Sequence, residues 1–307
     1  MLSTRKYKSS PIAYVALVTG ILSIGMSPLL IRWADASGVV SSLYRMAFGS
    51  IFLSWLFLYR ILKKRTKLPK KGILFAVAGG FFFSVDLAFW STGVVLSGAA
   101  IPTLLGNTAP LWVGLGSWIV FREDHPKKFW IGLITALLGA GLVLSIDMEK
   151  SPEFGLGSLF GALAALFYGA FYLASQRGRE HLDTINYFWI STSTSAIFLF
   201  LYTILLGEPL VGYNQKTWIL FFLMGLIVQV LGWLFITFTQ GHLPAALVSP
   251  TMLGQPVIVA ILAWLLLHER FSIGQVIGGS MVILGIFLVH YGNGNTLQES
   301  KKRMIVG

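Results

Sequence analysis

The sequence predicts an all-α membrane protein with ten transmembrane helices, built as two inverted five-helix repeats with both termini in the cytoplasm. The prediction rests on an apolar composition, ten apolar segments of membrane-spanning length and a similarity between the two halves of the chain. Of the 307 residues, 55% are hydrophobic and only 11% are charged, whereas soluble domains carry about 25% charged residues. This composition excludes a cytosolic enzyme and leaves no room for a separate soluble domain.

Each apolar segment can cross a bilayer as a helix, which takes about 20 residues. The first segment follows three basic residues, as in a signal peptide, but no clear small-residue cleavage pattern follows it, so we expect it to be retained. The segments, numbered as spans 1 to 10, are Pro11–Ile31, Val39–Tyr59, Gly72–Gly93, Ala99–Phe121, Phe129–Ile146, Leu156–Ala174, Ile185–Leu206, Trp218–Thr239, Ala245–Leu267 and Ile273–Tyr291.

Lysine and arginine residues are concentrated in alternate connectors. They precede span 1, follow spans 2, 4 and 6, and recur in the C-terminal tail, whereas the connectors of the opposite side hold few. Basic residues are kept on the cytoplasmic side during insertion, so both termini are expected there. Membrane topology thus explains the net charge of +11. We expect no nucleic-acid partner, because the basic residues lie between apolar blocks rather than on a polar folded face.

The two halves of the chain align at a shift of 146 positions, the separation between Glu123 and Glu269. The register needs no gap from about residue 79 to residue 143. It pairs Gly, Pro, Trp and Glu residues, which apolar bias alone would not align so readily. The pairs include Gly79 with Gly225, Pro110 with Pro256, Trp118 with Trp264, Gly132 with Gly278, and Gly139 with Gly285.

Spans 3 to 5 therefore correspond to spans 8 to 10, and the chain divides into a first unit at 1–150 and a second at 151–307. Five spans per unit is an odd number, so the second unit enters the bilayer upside down relative to the first. Inverted repeats around a site at the membrane midplane are typical of secondary transporters, because exchanging the conformations of the halves moves the opening from one side to the other. We expect a small-molecule substrate and no cofactor.

The chain also resembles a known family. The resemblance lies in the ten-span plan, in Asn107-Thr108-Ala109-Pro110 and Phe121-Arg122-Glu123 of span 4, and in Ser249-Pro250 through Leu267-His268-Glu269-Arg270 around span 9. These features are similar to EamA-type members of the drug/metabolite transporter superfamily. The resemblance covers nearly the whole chain. It implies a transporter of the bacterial inner membrane that exports amino acids, amines, other metabolites or drugs, with a cavity lined by spans such as 3, 4, 8 and 9 and with spans 5 and 10 at the periphery.

Asp86 is the acidic residue deepest within a span. An acid at that depth costs several kcal/mol unless it is paired, protonated or hydrated. We expect Asp86 to line the cavity, where it binds an amino or cationic group or takes up a proton. The alternatives are a structural pair with Arg45, which lies at a similar depth in span 2, and a protonated Asp86 bonded to a neighbouring hydroxyl. Trp90, one turn after Asp86, is a candidate to stack on a ligand. Tyr168 is a weaker cavity candidate, as are Gln176, Gln229 and Asn186.

Proline residues interrupt spans 4 and 9 at equivalent positions. Pro110 and Pro256 lack the backbone donor that a continuous helix requires, so each span should kink and leave a carbonyl free. Asn107 and Gln255 lie beside these positions and can offer side-chain amides to the freed groups or to a ligand. The sequence predicts hinges that face the cavity, and Pro250 adds a further break in span 9.

Glu123 and Glu269 end their helices, where an acid opposes the helix dipole. We expect each to accept hydrogen bonds from the start of the next helix, a structural role, with gating as the alternative. Small residues recur in spans 5 and 10, where they permit close helix approach within the protomer or across a homodimer. They are Gly132, Ala136, Gly139, Ala140, Gly278, Gly279 and Gly285.

Several chemistries lack their motifs. The sequence contains no Gly-Lys dipeptide and hence no nucleotide-binding P-loop, no His-Glu-x-x-His zinc motif, no Gly-x-Ser-x-Gly elbow and no cysteine. The prediction is a secondary transporter rather than an enzyme. A carrier for a lipid-linked or nucleotide-linked sugar with the same fold remains the closest alternative, and an intramembrane enzyme and a channel are the more distant ones.

Overall fold

The computed structural model of the protein describes residues 10–97, 100–148, 155–267 and 272–306. It confirms the all-helical architecture, because the described residues contain no strand and include ten helical regions long and apolar enough to cross a membrane. In chain order, their helices are Pro11–Gly25 and Ser27–Trp33 (span 1), Gly38–Leu62 (span 2), Lys70–Ser97 (span 3), Ala100–Gly106 and Ala109–Phe121 (span 4), Lys127–Met148 (span 5), Leu156–His181 (span 6), Thr184–Leu205 (span 7), Gln215–Leu223, Met224–Trp233 and Leu234–Gln240 (span 8), Ala245–Thr251 and Gly254–Leu267 (span 9), and Ile273–Val306 (span 10).

Polar side chains set the starts of several helices. Ser10, Ser37, Asp183 and Asn214 each accept a hydrogen bond from a backbone N–H of the first helical turn, which has no partner within the helix. Asp183 also accepts a hydrogen bond from Arg60 at 2.8 Å. This ion pair joins two connectors that the distribution of basic residues places on the cytoplasmic side.

Spans 5 and 10 pack along a seam of glycine residues. A Cβ atom on Gly139 would lie 2.6 Å from the carbonyl oxygen of Gly278, and one on Gly132 would lie equally close to that of Gly285. Only residues without a side chain allow this approach. The small residues of spans 5 and 10 are therefore used for packing within the protomer.

The glycine contacts show that the two copies run in opposite directions. At the 146-residue shift, Gly132 corresponds to Gly278 and Gly139 to Gly285, yet the contacts join Gly132 to Gly285 and Gly139 to Gly278. Such crosswise pairing of equivalent residues is that of a two-fold axis. The helices at the seam are antiparallel, which is the inverted arrangement that the odd number of spans per unit predicts.

The third span of each unit packs against the second span of the other. Gly79 of span 3 lies against Tyr187 of span 7, and the equivalent Gly225 of span 8 lies against Phe48 of span 2. One large apolar cluster joins spans 1 to 4 with spans 6 to 9, while a second cluster packs spans 5 and 10 against span 9. Large apolar side chains such as Leu74 and Trp55 remain exposed on the outer surface, which suits contact with lipid.

Candidate functional site

Spans 4 and 9 are both interrupted near the middle. In span 4 the first helix ends at Gly106 and the second begins at Ala109, with Pro110 in its first turn. In span 9 the first helix ends at Thr251 and the second begins at Gly254, so that Pro256 again lies in the first turn. Proline fits there because the first residues of a helix need no intrahelical donor. The sequence predicted kinks, and the structure has a two-residue turn at each position, through which the backbone stays hydrogen-bonded. Pro250 lies inside the first helix of span 9.

A small pocket, with a cavity volume of about 20 Å³, lies at these interruptions. Of the predicted site residues, its lining includes Asn107, Pro110, Tyr168 and Gln255, whereas Arg45, Asp86 and Trp90 are not part of it. Sequence reasoning missed Tyr172 and Ser249, although Tyr172 follows Tyr168 by one turn and so shares its helix face. The pocket is lined by Gly106, Asn107, Ala109 and Pro110 of span 4, Tyr168 and Tyr172 of span 6, and Ser249, Met252, Leu253 and Gln255 of span 9.

Arg45 and Asp86 are both buried, with 5% and 7% of their surfaces exposed. They lie within electrostatic range of each other and of Tyr168. Among the described residues, however, no ion pair within 4.0 Å joins them. Arg45 Nη1 donates to Ser27 Oγ at 3.3 Å, and its Nε has no partner in the described part of the chain. The structure therefore contains a buried acid and a buried base that are close but not bonded.

Trp90 connects span 3 to the break in span 4. Its indole Nε1 donates to Thr103 Oγ1 at 3.0 Å, and the ring lies beside Gly106. The side-chain amide of Asn107 donates to the carbonyl oxygen of Thr103 at 2.8 Å. Trp90 is thus bonded to the first helix of span 4, just before its interruption, and its stacking on a ligand stays a prediction.

Glu123 lies just after the end of span 4, which terminates at Phe121. Its carboxylate accepts a hydrogen bond from Gln176 of span 6 at 2.8 Å, a partner different from the start of span 5 that the sequence suggested. Burial raises the pKa of Glu123, while the hydrogen bond from Gln176 and the charge of Arg177 oppose the increase. The equivalent Glu269 lies outside the described residues, so its predicted role stays a prediction.

A second small pocket, with a cavity volume of about 10 Å³, lies among spans 3, 6, 7 and 8. One wall is a π-helical segment, Met224–Trp233, which is unusually long for this rare structure. Gln229 lies in this segment and donates to Thr192 Oγ1 at 3.3 Å. The aromatic side chains of Phe83, Phe171 and Trp233 separate this pocket from Tyr168 and the first one.

Comparison with known proteins decides the family. A profile described as the EamA-like transporter family matches residues 11–145 and again residues 155–291. The chain belongs to the EamA-like transporter family. The double match coincides with the two five-span units of this EamA protein, and the drug/metabolite transporter resemblance is confirmed.

Relatives of this EamA protein support the same assignment. The Bacillus subtilis protein named as uncharacterized transporter YetK is 27% identical over 90% of this chain and 86% of its own length. Uncharacterized transporter YoaV of the same organism is 23% identical over 66% of this chain and 68% of its own. A solved structure titled only as a crystal structure of a protein shares the fold, with a TM-score of 0.77 and 18% identity over 92% of this chain and 98% of its own. This EamA protein is an integral protein of the bacterial plasma membrane.

His125 should make the stability of this EamA protein sensitive to acid. Its Nε2 lies 2.7 Å from Ser117 Oγ, its ring stacks on Phe129, and burial lowers its pKa from 6.5 to about 4 against the opposing charge of Asp124. The folded state binds this proton more weakly than the unfolded chain, so stability is fully present above about pH 6.5 and falls as the pH decreases towards 4. Without solvent screening, the free energy of unfolding would decrease by about 1.4 kcal/mol per pH unit in this range. The partial exposure of the His125 ring makes the decrease smaller.

The measurement is the unfolding midpoint in detergent at pH 7.5 and pH 5. We expect a larger decrease for the wild type than for His125→Gln, which keeps a hydrogen-bonding group that does not titrate in this range. Equal decreases in the two proteins would contradict the assignment of the acid sensitivity to His125.

Proposed function

We propose that this EamA transporter exports a small metabolite, such as an amino acid, an amine or a drug-like compound, by alternating access around the pocket at the breaks of spans 4 and 9. The observation that carries the proposal is the meeting of two inverted, interrupted helices at one pocket, whose lining includes amide and hydroxyl groups. Breaks at membrane depth free backbone groups, which are tolerated only where protein, water or a ligand satisfies them. In transporters such breaks form the substrate site.

The neighbouring charges support a polar substrate. Arg45 and Asp86 are buried and close together without a direct ion pair between them, and a charge at this depth that lacks a bonded partner is costly. An amino or cationic group of the substrate, or a proton, supplies that partner to Asp86. In the latter case the uptake and release of the proton by Asp86 couple export to the proton gradient.

In this conformation the pocket is too small for a metabolite and for a lipid-linked or nucleotide-linked sugar alike. Its cavity volume of about 20 Å³ holds about one water molecule, so a ligand can enter only when the surrounding helices separate. Alternating access then requires the two inverted units to exchange conformations, so that the same pocket opens first to one side and then to the other.

Counterflow in proteoliposomes tests the proposal. Vesicles that contain the wild-type protein and are loaded with a pool of unlabelled amino acids or amines should take up the labelled counterpart. Loaded vesicles without the protein should not. Uptake should change when a proton gradient is imposed. A flat response to every pool would contradict the proposed substrate class and favour the sugar carrier.

A further inference from the structure

Gln176 bridges two other spans through both ends of its side-chain amide. Its Nε2 donates to Glu123 Oε1 at 2.8 Å, and its Oε1 accepts from the backbone N–H of Ala245 at 2.6 Å. Only 1% of the Gln176 surface is exposed. A single buried side chain of span 6 thus connects the end of span 4 to the beginning of span 9.

The bridge joins the three spans that line the pocket. Gln176 follows Tyr172 by four residues on the same helix face, which places it about 6 Å further along span 6. Ala245 precedes Ser249, another lining residue, by four positions. The bridge therefore lies beyond the pocket towards the side that the basic connectors predict to be cytoplasmic.

Separation of these spans would leave two buried groups without partners. Ala245 is the first residue of its helix, so its N–H has no intrahelical acceptor, and the residue is fully buried. Glu123 would lose its hydrogen bond from Gln176. The loss of these partners is costly until the cytoplasmic side has opened far enough for water to hydrogen-bond to both groups. A second contact supports the closed arrangement, since the Arg177 guanidinium lies 4.0 Å from the centre of the Phe121 ring.

We propose that Gln176 is a cytoplasmic latch: it holds the pocket closed towards the cytoplasm, and its two hydrogen bonds break when the transporter opens to that side. Gln176 is a positioning residue, because it contacts the spans that move and lies outside the pocket lining. The inference rests on the proposed alternating access.

The absence of cysteine from the chain provides a direct test. Ser249→Cys introduces one thiol into the pocket with little change in size, and Ser249 Oγ has no hydrogen-bond partner within the described chain that the substitution would remove. In inside-out vesicles without substrate, a membrane-impermeant maleimide reports how often the pocket opens to the cytoplasm. We expect Gln176→Leu to increase the labelling rate about tenfold, because two buried hydrogen bonds are lost.

Gln240→Leu is the matched control. Gln240 is also a buried glutamine, at the end of span 8, but within the described residues its side chain accepts a hydrogen bond from Ser175 of span 6 only and does not join two lining spans. The Ser249→Cys protein that also carries Gln240→Leu should be labelled at a rate within about twofold of that of Ser249→Cys alone. Equal acceleration in the two variants would overturn the latch, since general loosening would then explain the effect.

Exchanging the side chains of Gln176 and Glu123 tests the latch with a second set of variants. Gln176→Glu places a carboxylate against Glu123 and should accelerate labelling, whereas the double variant Gln176→Glu/Glu123→Gln restores one donor and one acceptor and should return labelling to the slow parent rate. Failure of the double variant to restore slow labelling, in a protein that elutes as the wild type does, would overturn the proposal. Labelling needs no substrate, so a flat counterflow experiment would contradict the substrate class and leave the latch result intact.

Discussion

Asp86→Asn should reduce counterflow of an amine or amino acid at least about tenfold and should remove its response to a proton gradient. Asparagine keeps the shape of the side chain but can neither carry a negative charge nor release a proton. Asp86 is 7% exposed and has no ion pair within 4.0 Å in the described structure, so its charge is available to a ligand or a proton. Intramembrane acids of this kind are usually functional.

The matched control is Asp35→Asn, which removes an exposed acid from the connector between spans 1 and 2. Its counterflow and pH dependence should equal those of the wild type. If Asp86→Asn behaved like this control, Asp86 would have a structural role, and the pair with Arg45 that the sequence allowed would become the better explanation.

Gly139→Ala should destabilise the protein by about 1 to 3 kcal/mol, the usual cost of adding atoms to a tightly packed contact. The new Cβ would lie 2.6 Å from the backbone oxygen of Gly278 and 2.7 Å from the backbone nitrogen of Val282. Backbone atoms cannot rotate away as a flexible side chain can, so spans 5 and 10 must separate. The measurement is the midpoint of thermal unfolding of the variant in detergent, made on protein that elutes as a monodisperse species.

Gly141→Ala provides the comparison within the same span. Its Cβ would meet only Leu104 Cδ1, at an ordinary distance of 3.6 Å. We expect a change within about 0.5 kcal/mol, since alanine also favours the helix. Similar losses for Gly139→Ala and Gly141→Ala would contradict the close seam between spans 5 and 10.

The sequence predicted the features that depend on local composition and on the repeat. Apolar length defined the ten spans, and Pro110 and Pro256 located the interruptions of spans 4 and 9. The antiparallel order of the units followed from an odd number of spans per repeat. The two-residue turns in spans 4 and 9 and the division of span 1 after Gly25 were not predicted, because a proline can kink a helix or start a new one.

Contacts between distant segments could not be predicted from local composition or from the repeat. The hydrogen bond between Gln176 and Ala245 joins positions 69 residues apart, and Gln176 was only one of several polar residues in a span. The π-helical geometry around Gln229 depends on tertiary packing and has no simple sequence signature. The partner of the Trp90 indole, Thr103, became evident only when spans 3 and 4 were placed side by side.

Side-specific labelling of two single-cysteine variants tests most directly whether the two units face opposite leaflets. Lys64→Cys and Val211→Cys lie in the connectors between the second and third spans of the first and second units, and both positions are exposed. An impermeant maleimide should label Lys64→Cys only from the cytoplasmic side and Val211→Cys only from the external side. Labelling of both variants from the same side would contradict the inverted arrangement and, with it, alternating access through exchange of the two halves.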